Sequence, residues 1–344
     1  MDAGAAVILG SVGAGDHHAT PAWHPESAAR VHAVDDAIAR LNLGDAVTIL
    51  PPRLATIGEL ARVHDELYLD GLATLAEAGG GELDPETVVS AGSWETARLS
   101  AGLGLAAIDA LQQDAGGAAF VATRPPGHHA SRLTGSGFCL LNNVAVTAAA
   151  LVDQGARVAI VDWDVHHGNG TQAVFWNNPQ VLYVSTHEWP AYPGTGDAAE
   201  VGGPAALGRT LNIPLPAGAT GDVALRAFDD VVEEAVDAFA PDWVLVSAGY
   251  DAHRDDPLAD LAWSAGDYAV LTRRVMGYAP RVGRTIVFLE GGYDLRALGE
   301  SVAATVAALA DLPHDTEDAT VGGPGMDAVD RARRRRTDRL ERMG

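Results

Sequence analysis

The chain has 344 residues, of which 46 are acidic and 23 basic, so its formal charge is −23. Every basic residue is Arg, and the absence of Lys excludes a Walker P-loop, a pyridoxal Schiff base and any lysine nucleophile or base. The single cysteine, Cys139, excludes an internal disulfide and a Cys-rich structural zinc module.

The N-terminus has no basic segment followed by an apolar run, and no stretch of about 18 apolar residues occurs, so a cytoplasmic protein is expected. Along the chain, short β-branched apolar runs alternate with longer helical stretches. Residues 94–113 read as a helix. The GLGLAA at 102–107 imitates a dinucleotide fingerprint, but it lies inside that helical pattern with no strand before it. A strand is predicted at 118–123, a helix at 142–153, and further strands at 157–161 and 181–185. Over 222–239 the residues Phe228, Val232, Val236 and Phe239 recur near helical spacing, with Asp222 as the expected N-cap. Strands at 243–247 and 285–289 and a helix at 297–310 complete the pattern.

This alternation predicts an α/β fold: a single domain with a mostly parallel central sheet and helices on both faces. Residues 1–312 read as that domain. Residues 313–327, rich in Gly, Asp, Thr and Pro, read as a linker within a C-terminal segment, 313–344, that ends in an Arg-rich tail. Residues 331–344 carry seven Arg against two acids. The tail is expected to be a mobile or weakly docked appendage of its own acidic body. Such a body repels phosphate, so nucleic acid is disfavoured except through the tail.

The polar residues gather just past five of the predicted strands: RPPGHHA, DWDVHHGNGT, THEW, AGYDAH and EGGYD. In open α/β sheets that edge binds ligands. Asp164 and His166, two apart at a strand end, point to one side, and Asp251 beyond another strand is the natural third ligand of a divalent metal. Two Asp and one His leave a position open, as in a catalytic zinc site, and oxygen-rich ligation also admits Fe²⁺. Taken alone, the Asp-x-Asp also reads as a cap on the following helix. His128 and His129 are candidates for a general base or a metal ligand, with Asp162 and Asn169 as orienting acceptors. His167 reads as structural and Cys139 as a packed thiol. Tyr293, behind Gly291 and Gly292, reads either as a phenol offered to an oxyanion or as a cover for the sheet edge.

Together the motifs RPPGHHA (124–130), GSGFCLLNN (135–143), VDWDVHHGNGT (161–171), YPGTG (192–196), SAGYDAH (247–253) and EGGYD (290–294) resemble the histone deacetylase family. These are zinc-dependent amidohydrolases of the arginase–deacetylase fold. HPES (24–27) matches too, and the Asn in HHGNGT resembles the class II branch and its bacterial relatives. The likeness runs over about residues 17–310.

The resemblance implies zinc on Asp164, His166 and Asp251, with His128 backed by Asp162 and His129 by Asn169. It makes Tyr293 the phenol that polarises the acetyl carbonyl, Gly137 the holder of the substrate amide, and Phe138 and Tyr192 the walls of an aromatic tunnel. It also implies a structural potassium near Asp162, Asp164, His166, Ser185 and Thr186. Either imidazole can fill each proton-transfer role, with His129 preferred as the base. Polyamine-selective relatives carry a Glu where this chain has Leu258, so acetyl-lysine in proteins is expected ahead of acetylated polyamines. An arginase-like dinuclear site would need further carboxylates. A non-catalytic acyl-lysine binder would lack a ligand or the phenol, and here every such position is filled.

Overall fold

The computed structural model describes residues 7–113 and 116–343. The N-terminal part contains β1 (Val7–Ser11), α1 (Ala28–Arg40), β2 (Val47–Leu50), α2 (Ile57–Leu60), α3 (Glu66–Glu77), the strands β3 (Gly80–Asp84) and β4 (Thr87–Ser90), and α4 (Ser93–Gln112). The middle contains β5 (Ala118–Ala122), α5 (Asn143–Asp153), β6 (Val158–Asp162), α6 (Asn169–Phe175), β7 (Val181–Glu188) and β8 (Thr210–Leu215). Then come α7 (Gly221–Ala227), α8 (Glu233–Phe239), β9 (Trp243–Ala248), α9 (Ala265–Met276), β10 (Thr285–Leu289), α10 (Leu295–Leu309) and α11 (Met326–Met343).

Eight strands form one parallel sheet in the order β2-β1-β5-β10-β9-β6-β7-β8, and β3 and β4 pair separately as an antiparallel hairpin. The α/β expectation holds, and all five predicted strands lie in this sheet. Each is buried along its whole length because both faces are covered. The pleat divides the residues of each strand between two cores. Phe120, Val161, Val184, Val246 and Val287 join the core under α7 to α11, whereas Val121, Ile160, Tyr183, Leu245 and Phe288 join the one under α3 to α5.

Two expectations are corrected. The helix over 222–239 starts earlier: Thr220, in extended backbone, is the N-cap, and Asp222 is a first-turn residue. The Asp222 carboxylate instead accepts from the Thr220 hydroxyl and from the Gly322 N–H. A π-helical turn at Phe228–Val232 joins α7 to α8 and keeps Phe228, Val232, Val236 and Phe239 buried.

The Arg-rich segment lies on its own body, as expected, but as a packed helix rather than a mobile or weakly docked tail. It forms α11, which buries Ala328, Val329 and Ala332 in the core. Arg336 donates to the carbonyls of Thr210 and Gly208, and Arg335 pairs with Asp197 at 2.8 Å. The preceding stretch is tied down as well, through Glu317 to His253, Thr320 to Asp267 and Gly323 to Thr220. Polar composition concealed this docking, since only three side chains of α11 face inward.

Candidate metal-dependent active site

Parallel strands align their carboxyl ends, so the loops after β5, β6, β7, β9 and β10 meet at one edge. At the end of β6, Asp162 is fully buried. It accepts from the Asp164 N–H (3.2 Å), the Tyr183 hydroxyl (3.0 Å) and His128 Nδ1 (3.1 Å). The loop that follows turns Asp164 and His166 toward Asp251, which lies past the end of β9. Asp164 Oδ1 accepts from the His166 N–H and Oδ2 from the Gly291 N–H, at 2.9 and 2.8 Å. Gly291 is required there, because a Cβ would collide with the Asp251 carboxylate.

His166 Nδ1 sits 3.2 Å from Asp164 Oδ1 and 3.3 Å from Asp251 Oδ2. One donor atom from each of the three residues falls within 4.8 Å of the others. Asp251 Oδ1 accepts from the Val165 N–H at 2.9 Å, but Oδ2 is buried with no hydrogen-bond partner. Such an orphaned carboxylate oxygen is costly unless a cation satisfies it. The three residues therefore fit a divalent ion, and a mixed nitrogen and oxygen donor set suits zinc.

The loop after β5 brings His128 and His129 side by side, with ring centroids 4.0 Å apart. Their second nitrogens meet different acceptors: His128 Nδ1 donates to Asp162, and His129 Nδ1 donates to Asn169 Oδ1 at 2.8 Å. The consequences are opposite. Burial disfavours charge on His128, but Asp164 and Asp162 outweigh it and push the imidazole up to about 10. Burial, reinforced by the neighbouring His128 and His166, holds His129 well below the usual histidine range.

Tyr293 follows the Gly-Gly turn after β10. Its N–H donates to Asp256 Oδ2 at 2.7 Å, and the Arg30 guanidinium lies 5.0 Å from its ring. Burial pushes its phenol well above the usual tyrosine range, against the opposing charge of Arg30, so the hydroxyl stays a donor. Tyr293, His128, His129, His166, Gly137, Phe138, Cys139, Tyr192 and Leu258 all line one cavity of about 420 Å³. Phe138 meets Tyr293 edge-on at 5.8 Å, and Tyr192 meets His129 edge-on at 5.0 Å. Gly137 and Phe138 take left-handed backbone, with φ +54° and +69°, which swings this aromatic wall inward.

Cys139 is a buried free thiol, 3.3 Å from the Gly137 carbonyl. His167 contacts Thr195 and Gln172 and does not line the cavity. Ser185 pairs in register with Asp162 across β6 and β7; its hydroxyl meets His187, while the Thr186 hydroxyl is buried without a partner.

Two further carboxylates support the site, and reading the motifs did not single them out. Glu290 accepts from the N–H groups of Gly127 and His128 and from the Ser247 hydroxyl, so it ties the histidine loop to β9 and β10; burial pushes it up to about 7. Asp256 accepts from the N–H groups of Tyr293 and Leu258, and burial, then the charge of Asp251, push it up to about 7. Glu290 stands inside EGGYD and Asp256 just past SAGYDAH, but spacing alone does not tell which acids face backbone. Behind them Arg30 donates to the carbonyls of Gly292 and Glu290 and pairs with buried Glu26, which Arg124 also holds at 2.8 Å.

Comparison with known proteins agrees with this geometry. The family model described as the histone deacetylase domain matches residues 24–309. A probable deacetylase of Archaeoglobus fulgidus is 38% identical over 300 residues, covering 86% of this chain and 83% of that protein. The histone deacetylase-like amidohydrolase of Pseudomonas aeruginosa is 39% identical over 278 residues, covering 78% and 72%. The crystal structure of the HDA15 HD domain superposes with a TM-score of 0.89 at 33% identity, covering 98% of each chain. A match over most of the sequence, the shared fold and the Asp164–His166–Asp251 cluster lead to one conclusion: the chain belongs to the histone deacetylase family and is a hydrolase of that family.

Proposed function

We propose that this protein removes acetyl groups from N-acetylated primary amines, acetyl-lysine in proteins ahead of acetylated polyamines. The observation that carries the reading is the orphaned Oδ2 of Asp251, facing His166 and Asp164 beside a cavity that also holds two differently oriented imidazoles and a phenol. A divalent ion held by Asp164, His166 and Asp251, zinc before Fe²⁺, would supply Lewis-acid polarisation and a lowered pKa for water.

The chain's own residues do the rest. The acyl-lysine stem, four methylenes long, lies between Phe138 and Tyr192, which exclude water from its sides. The Gly137 carbonyl is assigned the substrate N–H. His129, kept neutral by burial beside His128 and His166, accepts a proton from the attacking water at Nε2. His128 stays cationic against Asp162 and adds positive potential beside the reaction. The Tyr293 hydroxyl donates to the oxygen that becomes negative as the carbonyl turns tetrahedral. His129 then returns its proton to the departing nitrogen, and the C–N bond breaks to release acetate and the free amine.

Leu258 supports acetyl-lysine, since it puts an apolar side chain, 43% exposed, on the cavity wall where polyamine-selective relatives carry a Glu. A potassium ion held around Asp162, Ser185 and Thr186 belongs to the same proposal. The test is acetate release from an acetyl-lysine peptide and from acetylputrescine, measured side by side. Turnover of the peptide at the higher kcat/KM supports the assignment, and preference for acetylputrescine reverses the substrate order.

A further inference from the structure

The mouth of the cavity is built from two segments distant in sequence. Trp23 precedes α1, and Glu86 lies in the turn between β3 and β4; both line the cavity. His24 joins them: its Nε2 donates to the Glu86 carbonyl at 3.0 Å, and its Nδ1 lies 3.1 Å from the Glu26 N–H that it accepts. The Trp23 ring stands 5.6 Å from the His24 ring and is 73% exposed. A residue of that size left so open at a cavity mouth has little packing role in the free protein.

The Glu86 carboxylate is exposed, and among the described residues it has no hydrogen bond or ion pair. It is also the only acid among the lining residues, which include no arginine to neutralise it. An open indole and an unpaired carboxylate lining the same cavity mouth are the two components that bind organic cations. The deep half of the cavity, with its imidazoles and phenol, has no comparable feature.

We propose that Trp23 and Glu86 form a subsite for a positively charged group, an alkylammonium or a guanidinium. The substrate would carry that group outside the tunnel, beyond the stem that leads to its acetamide. The inference rests on the deacetylase reading and narrows it: the preferred substrate is an acetylated amine with a second positive charge. A basic residue beside acetyl-lysine and the distal nitrogen of an acetylated polyamine offer the same chemistry. The long-range field of a chain with charge −23 favours the approach of either.

The test compares kcat/KM for matched pairs with the zinc-loaded enzyme. One pair is an acetyl-lysine peptide with Arg or norleucine next to the modified residue; the other is N8-acetylspermidine and an N-alkylacetamide of the same length. At low salt the cationic member of at least one pair is expected to lead by about fivefold or more, with the ratio falling as NaCl is raised. The pair that shows the preference identifies the source of the charge. In Glu86→Gln the ratio is expected to fall toward one, and in Trp23→Leu to fall partway; a misfolded variant would lower both members alike. An equal rate for both members of each pair, or a ratio that Glu86→Gln leaves intact, overturns the proposal. Calorimetric binding of the same pairs to the zinc-loaded Tyr293→Phe variant separates the two readings. A cationic preference in Kd that Glu86→Gln removes supports the subsite even if wild type turns over neither pair. No preference in Kd counts against the subsite whatever the turnover.

Discussion

Asp256 directs both carboxylate oxygens at backbone N–H groups of the two segments that wall the cavity, that of Leu258 and that of Tyr293. Asp256→Ala leaves two part-buried donors without their partner and frees the loop that aims the phenol. A kcat loss of about 10- to 100-fold with an unchanged metal content is expected, since small misplacements at a reacting centre are costly. Steady-state kinetics at wild-type rate would remove Asp256 from this account. His64 gives a second residue-scale prediction. Its Nδ1 donates to the Ser131 carbonyl and its Nε2 accepts from the Asn142 N–H, so a proton on Nε2 would face a donor. Burial accordingly pushes it from 6.5 down to about 4. The folded value lies below the unfolded one, so the unfolded chain binds the extra proton first. The stability that neutral His64 contributes is present above pH 6.5 and is lost as pH falls toward 4. Between pH 7 and 5 that loss is about 2 kcal/mol. Denaturant unfolding at both pH values should show a smaller drop for His64→Asn, and an identical drop would contradict the assignment.

At the scale of elements, α11 covers β8, an edge strand whose outer N–H and C=O groups would otherwise face solvent. A chain ending at residue 325 loses the burial of Ala328, Val329 and Ala332 and the Arg336 bonds to Thr210 and Gly208. It is expected to melt several degrees lower and to self-associate through the bared edge, as light scattering would detect. A truncated chain of unchanged Tm that stays dispersed would show that α11 is dispensable. The same elements show what could be read from sequence. Five of the six inner strands were legible because burial on both faces demands continuous apolar runs, as in Val181–Ser185 or Trp243–Ser247; the sixth, β1, carries the same kind of run at Val7–Leu9, but it was not singled out. The outer strands carry no such mark: β8 is broken by Asn212 and Pro214, β2 has only four residues, and β3 is mostly Gly and acids. Helix α11 was hidden for the same reason, since a surface helix that buries three side chains reads as polar throughout.

For the whole molecule, the site is a meeting of loops that only the sheet order brings together. Asp164, Asp251 and His129 come from the loops after β6, β9 and β5, and their convergence was legible because ionisable residues followed each apolar run. The supports were not: Glu290, Asp256 and Arg30 reach backbone groups of Gly127, Tyr293 and Gly292 that lie far away in sequence, and no local pattern marks such partners. The convergence of Asp164 and Asp251 also makes the protein a host for a cation. Chelation is expected to abolish turnover and lower Tm by several degrees, and zinc to restore both, because an ion that binds only the folded state stabilises it. A Tm indifferent to zinc would argue against the ligand set.

Among helices of the described residues, none is long and apolar enough to cross a membrane, and the site opens to solvent through Trp23, Glu86, Tyr192 and Leu258. The proposed function turns on a neutral phenol at Tyr293 that stabilises the oxyanion of amide hydrolysis. Its most direct measurement is acetate release from an acetyl-lysine peptide by zinc-loaded wild type and Tyr293→Phe. Turnover by wild type is expected, with a fall in kcat of about 10²- to 10³-fold in the variant at unchanged zinc content. A variant that keeps the wild-type kcat, or a zinc-loaded wild type that releases no acetate, would contradict it.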